Sequence, residues 1–84
     1  DTHSLFYLER KKAKAYHAAG RLDEAITQYL GVIDGHLDRN DPKGAVESME
    51  TLAGIYLDKG EKAKAADCYR AIASIHKNFK HQNL

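Results

Sequence analysis

The residues that could do chemistry are few, and their spacing does not suit catalysis. Asp23 and Glu24 are adjacent, so a helix points them in different directions. Glu47 and Glu50 share a helix face but stand among lysines and solvent. Acid–base work near neutral pH needs carboxyls that are buried or tightly coupled. Cys68 stands beside Tyr69, and no histidine is placed to act as its base. It reads as a packing or surface thiol rather than a nucleophile. The histidines are His3, His17, His36, His76 and His81; no two are spaced i, i+4, and there is no Cys-x-x-Cys pair. The six glycines fall mainly at turns and helix ends, with Gly31 and Gly54 inside helices, and none forms a phosphate-cradling loop. The expectation is a chain with no enzymatic role, no metal and no cofactor.

Composition supports that expectation. At 84 residues the chain is one small domain or a fragment of a larger one, and a chain of this size buries only about 60% of its unfolded surface, leaving little room for a deep catalytic cleft. With 43% apolar and 30% charged residues it has enough apolar side chains for a core. No apolar run reaches the length of a membrane span. The lone cysteine excludes an intrachain disulfide and favours a reducing, intracellular compartment, cytoplasmic or nuclear. Because it starts at Asp1, the sequence reads as a piece of a longer chain. A net charge of +1 hides segregation: residues 1–21 carry +3, residues 22–37 carry −3, residues 38–58 carry −3 and residues 59–84 carry +4. Adjoining helices of opposite sign attract across exposed edges. The acidic middle argues against nucleic acid as a partner.

The elements that position these residues emerge from an internal repeat. A shift of 40 residues places Ala13 on Ala53, Tyr16 on Tyr56, Gly20 on Gly60, Ala25 on Ala65, Tyr29 on Tyr69 and His36 on His76. Each unit reads as two helices turning at the glycine. In the first helix Leu5, Leu8, Ala15, Tyr16 and Ala19 share one apolar face, interrupted by Lys12. Leu22, Ala25, Ile26, Tyr29, Val32, Ile33 and His36 make the second stripe. Residues 38–44 form the one real loop, with Asp41 capping the next helix and Pro42 at its first position. Ala45, Val46, Met49, Leu52, Ala53 and Tyr56 make the third stripe; Ala65, Ala66, Tyr69, Ile72, Ala73, His76 and Phe79 make the fourth. No segment alternates like a strand. The expected fold is all-α: four helices in two antiparallel hairpins, one domain over residues 1–84 with repeats at about 5–39 and 45–79.

The second unit, Met49-x-x-Leu52-Ala53-x-x-Tyr56, Gly60, Ala65-x-x-x-Tyr69, resembles the tetratricopeptide repeat. The first, Glu9-x-x-Lys12-Ala13-x-x-Tyr16, Gly20, Ala25-x-x-x-Tyr29, matches less well. The physical pattern agrees, since Ala25 and Ala65 are small where hairpin helices meet, and Tyr29 and Tyr69 are large where hairpins stack. The period of 40 departs from the usual 34, and the extra residues are expected in the second helix and the 38–44 loop. Two repeats are fewer than such arrays usually need. Stacking on further repeats or self-association through an open end is therefore expected.

The resemblance implies a concave groove lined by the first helix of each hairpin. By position, Tyr7, Arg10, Lys14 and His17 form a basic wall, and Glu47, Glu50, Gly54 and Asp58 an acidic one. Either the two walls pair across the groove or they contact a ligand. The family's carboxylate clamp is not matched: Arg10 and Lys14 occupy the first pair, Thr51 stands at the asparagine position of the second repeat, and both clamp asparagines are missing. The implied function is a protein-interaction module for a peptide or partner helix, with an acidic segment as one candidate. The competing reading is a structural segment of a larger helical solenoid without its own ligand. RNA binding is a weaker third, since two repeats would read only about two bases in one-base-per-repeat systems.

Overall fold

The computed structural model describes the backbone of residues 2–82 and the side chains of residues 5–78. It contains four helices: α1 (Thr2–Ala18), α2 (Leu22–Asp38), α3 (Pro42–Asp58) and α4 (Lys62–Gln82). The described residues contain no strand. Each helix packs antiparallel against the next in sequence, so the principal contacts run α1–α2, α2–α3 and α3–α4. The molecule measures 42 × 36 × 13 Å, and the short dimension is close to one helix diameter. The four helices therefore lie side by side in a single layer, and the core is a series of seams between neighbours.

Three turns make this layer, and they are built alike. Gly20, Asn40 and Gly60 all have positive φ, at 77°, 56° and 78°. At each turn the next amide closes back on the residue five before it: Arg21 N donates to Tyr16 O, Asp41 N to His36 O and Glu61 N to Tyr56 O, at 2.8–2.9 Å. This is the Schellman closure, which satisfies carbonyls left open at a helix end. The helical unit thus repeats every 20 residues as well as every 40. The expected long loop over 38–44 is a three-residue turn, because Asn40 takes the left-handed conformation and α2 and α3 run up to it from both sides. The residues beyond a 34-residue period lie in the helices, since α1, α2 and α3 each span 17 residues.

The seams are filled by a small set of side chains. Ala13, Ala25, Ala53 and Ala65 are at most 2% exposed, and each lets a neighbouring helix approach closely. Tyr29, Val32, Ile33, Leu52 and Ile55 fill the space between. α1 departs from the expected stripe. Leu5 and Leu8 are 61% and 59% exposed, and Ala15 and Ala19 are exposed too. The inward side of α1 carries Phe6, Ala13 and Tyr16 instead. The physical reason is position: among the described residues α1 has a neighbouring helix on one side, α2, so its second apolar face meets solvent. Lys12 is exposed, with Nζ 5.9 Å from the Tyr16 ring centroid. The mirror case is α4, where Tyr69 is 49% exposed although Tyr29, its equivalent, is 6% exposed. Phe79, expected in the last stripe, lies outside the described side chains, as do His3 and His81.

Charge then ties neighbouring elements. Lys59, in the turn after α3, pairs with Asp23 in the first turn of α2. That hydrogen bond raises the Lys59 pKa above the usual lysine value. Arg21 grips Glu24 with two bonds, Nε to Oε1 at 2.6 Å and Nη2 to Oε2 at 2.5 Å, fixing the start of α2.

Candidate functional site

A cavity of about 190 Å³ opens on one face of the layer between α1 and α3, with α2 as its floor. Arg10 and Lys14 come from α1, and Glu47, Ser48 and Thr51 from α3, at helical spacing of three and four. Tyr29 and Val32 floor it. A second cavity of about 600 Å³ adjoins it through Arg10 and His36, and is walled by Phe6, Tyr7, Arg39 and Asp41. The structure thus brings Arg10, Lys14 and Glu47 around one space and Tyr7 onto its neighbour. His17, Glu50, Gly54 and Asp58 are not among the residues lining either one. A Cβ built on Gly54 meets nothing within 4 Å, so α3 is open to solvent there.

The charges of this groove do not cancel by pairing. Among the described residues, Arg10, Lys14 and Glu47 make no ion pair within 4.0 Å. Arg10 instead acts on the floor. Burial pushes the Tyr29 phenol above its ordinary pKa, and the nearby Arg10 guanidinium partly offsets that shift. A cation above a buried phenol, beside a second cation, gives the α1 side a positive potential. The groove offers donors to an anion.

One end of the groove is held rigidly. Asp41 caps α3 with Oδ1 accepting from Gly44 N at 3.1 Å, and its Oδ2 lies 3.0 Å from His36 Nδ1. The Gly44 hydrogen bond, with that to His36 adding to it, holds the Asp41 carboxyl below its ordinary pKa despite some desolvation. The His36 ring is buried and packs edge-on against Phe6 at 4.8 Å between centroids. The repeat-equivalent His76 is exposed.

Cys68 is buried, and burial with the charge of Asp67 raises its thiol pKa. Among the described residues no three His, Cys, Asp or Glu side chains come together to hold a metal, and no helix is long and apolar enough to cross a membrane. Sequence reasoning assigned the groove to the first helix of each hairpin and so missed Tyr29 and Val32. Their signal was their place on the second stripe, facing the gap that α1 and α3 leave between them. No protein-family model matches the chain, and neither the curated proteins nor the solved structures include a significant match.

Proposed function

We propose that this chain is a tetratricopeptide-like protein-interaction module, and that the groove between α1 and α3 binds an acidic, extended protein segment. The observation that carries the reading is the pair Arg10 and Lys14, unpaired among the described residues and facing a cavity floored by a buried tyrosine. Two cations on one helix face, one turn apart, match carboxylates along an extended peptide. Charge-assisted hydrogen bonds are the stronger class available to such a site. Glu47 on the opposite wall sets polarity, favouring a segment whose acids lie toward α1 and whose basic or neutral residues lie toward α3. The buried thiol of Cys68 suits an intracellular setting. A second reading, a structural segment within a larger helical array, draws support from the apolar residues exposed on the outer faces of α1 and α4.

The test uses fluorescence anisotropy with labelled ten-residue peptides, one acidic, one basic and one neutral. The acidic peptide is expected to bind in preference, and to lose at least about tenfold in affinity to the Arg10→Glu, Lys14→Glu variant. Both substitutions are on exposed positions, so helicity by circular dichroism is expected to be unchanged. Equal binding of the three peptides, or an acidic peptide indifferent to the double substitution, would remove the groove from the reading.

A further inference from the structure

The larger of the two adjoining cavities differs in kind from the groove beside it. Its walls hold three rings, Phe6, Tyr7 and His36, and two guanidiniums, Arg10 and Arg39. Arg39 stacks over the Phe6 ring, 4.5 Å from its centroid, and His36 meets the same ring edge-on at 4.8 Å. The one acid on the wall, Asp41, has both oxygens engaged, Oδ1 by Gly44 N and Oδ2 by His36 Nδ1. It stays ionised at neutral pH, so charges of both signs stand close together and favour a neutral occupant. Among the described residues no buried side-chain nitrogen or oxygen lacks a hydrogen-bond partner, so the cavity demands no particular polar atom. Rings and guanidiniums are the groups that receive an aromatic side chain, ring to ring edge-on or offset, and cation to ring face.

We infer that this cavity takes an aromatic side chain of the same acidic segment that the groove binds, an inference that rests on that reading of the groove. Arg10 lines both cavities, so one bound segment reaches from one into the other. At about 1.5 Å per residue along α1, Tyr7 lies about 4.5 Å before Arg10, and Arg10 about 6 Å before Lys14. In an extended segment, side chains on one side recur about every 6.6 Å. A segment beside α1 thus sets its ring at the level of Tyr7, one acid near Arg10 and the next near Lys14. The ring stands at the end nearer the α2–α3 turn, where Arg39 and Asp41 close the cavity. Ring, acid and acid occupy alternate positions of the segment, in either chain direction.

Size and energetics agree with that assignment. At about 600 Å³ the cavity falls in the range of roughly 300–1,000 Å³ that holds compact ligand groups. Aromatic side chains seated in such pockets carry a large share of the binding energy of an interface, while charged contacts around them set register and orientation. Two of the three wall rings are already ordered by the fold, since Phe6 and His36 pack on each other and His36 is buried. Tyr7 is 55% exposed and is the wall ring with most surface to lose to an occupant. An aliphatic side chain would fill space but gain neither the edge-on ring contact nor the cation on its face.

Fluorescence anisotropy with labelled ten-residue peptides of one composition tests this. Each carries two glutamates and one phenylalanine at alternate positions in a serine background, with the phenylalanine before, between or after the glutamates. Placement at one end is expected to bind about tenfold tighter than central placement. At that end, alanine in place of phenylalanine is expected to weaken binding about tenfold, and leucine about threefold. With Tyr7→Ala protein, its helicity checked by circular dichroism, the phenylalanine-to-alanine ratio is expected to fall to about threefold or less. The ratio is taken within each protein, so any change in the acid contacts cancels. Central placement binding as tightly as either end, leucine equal to phenylalanine, or a ratio unchanged by Tyr7→Ala would overturn the inference. If the alanine peptide still binds and still loses affinity to the Arg10→Glu, Lys14→Glu variant, the reading of the groove survives that outcome. Indifference of every peptide to the double substitution would remove both.

Discussion

At the scale of single residues, the tightest point of the molecule is the junction of α2 and α3. A Cβ on Gly44 would collide with the His36 ring and with Asp41 Oδ2, while His36 is itself pinned by Phe6 and Asp41. Gly44→Ala gains about 1 kcal/mol of helix propensity and loses more to overpacking. A net loss of about 1–2 kcal/mol is expected in urea denaturation. Gly31 lies within a helix and a Cβ there meets nothing within 4 Å, so Gly31→Ala is expected to gain about 0.5–1 kcal/mol in the same assay. The Asp41 carboxyl makes a second case. Its folded pKa lies below the unfolded value, so its contribution is complete above the unfolded pKa of about 4 and is lost as pH falls through the folded pKa. Asp41→Ala removes both the cap and the partner of His36, and is expected to cost about 1–2 kcal/mol at neutral pH. Asp41→Asn keeps a capping oxygen and is expected to cost less. Between neutral pH and pH of about 3, the wild type should lose more stability than the asparagine variant, as measured by thermal melts.

At the scale of elements, the legible parts were those marked by residue type alone. Gly20 and Gly60 announced their turns, Pro42 after Asp41 announced the start of α3, and the alanines at 13, 25, 53 and 65 marked the seams. Asn40 did not announce its turn, because asparagine in a polar run reads as loop, and its tolerance of positive φ has no separate signature. For the same reason the 20-residue unit stayed hidden behind the 40-residue one: tyrosine at 16 and 56 alternates with histidine at 36 and 76. Periodicity also located the apolar face of α1 without saying whether a neighbour would cover it. In the groove, Arg10, Lys14 and Glu47 could be placed by position, whereas the floor of Tyr29 and Val32 needed the layer itself. The turn carries its own prediction. Asn40→Gly should leave stability unchanged or slightly raised. Asn40→Val forces a β-branched residue into the left-handed region and should cost about 1–2 kcal/mol. Paired denaturation curves decide it, and equal stability of the two variants would show that this turn does not hold its geometry.

At the scale of the whole molecule, the single-layer arrangement dictates how stability is distributed. In a globular bundle every helix borders a shared centre. Here α2 and α3 are flanked on both sides, and α1 and α4 on one. Chains of this kind behave as one-dimensional stacks, in which stability is roughly a sum of unit and nearest-neighbour terms. An end helix can open by breaking one seam, whereas an inner helix must break two or wait for its neighbour to leave. The side chains follow the same order: Ala13 is the one fully buried hydrophobe of α1 among the described residues, while α3 buries seven residues. Local opening free energies should therefore fall from the centre outward. Hydrogen exchange at low protein concentration is expected to protect amides in the middle of α2 and α3 most, and those in the first two turns of α1 least. Uniform protection across all four helices at low concentration would mean that the seams break together, and that the layer unfolds as one unit.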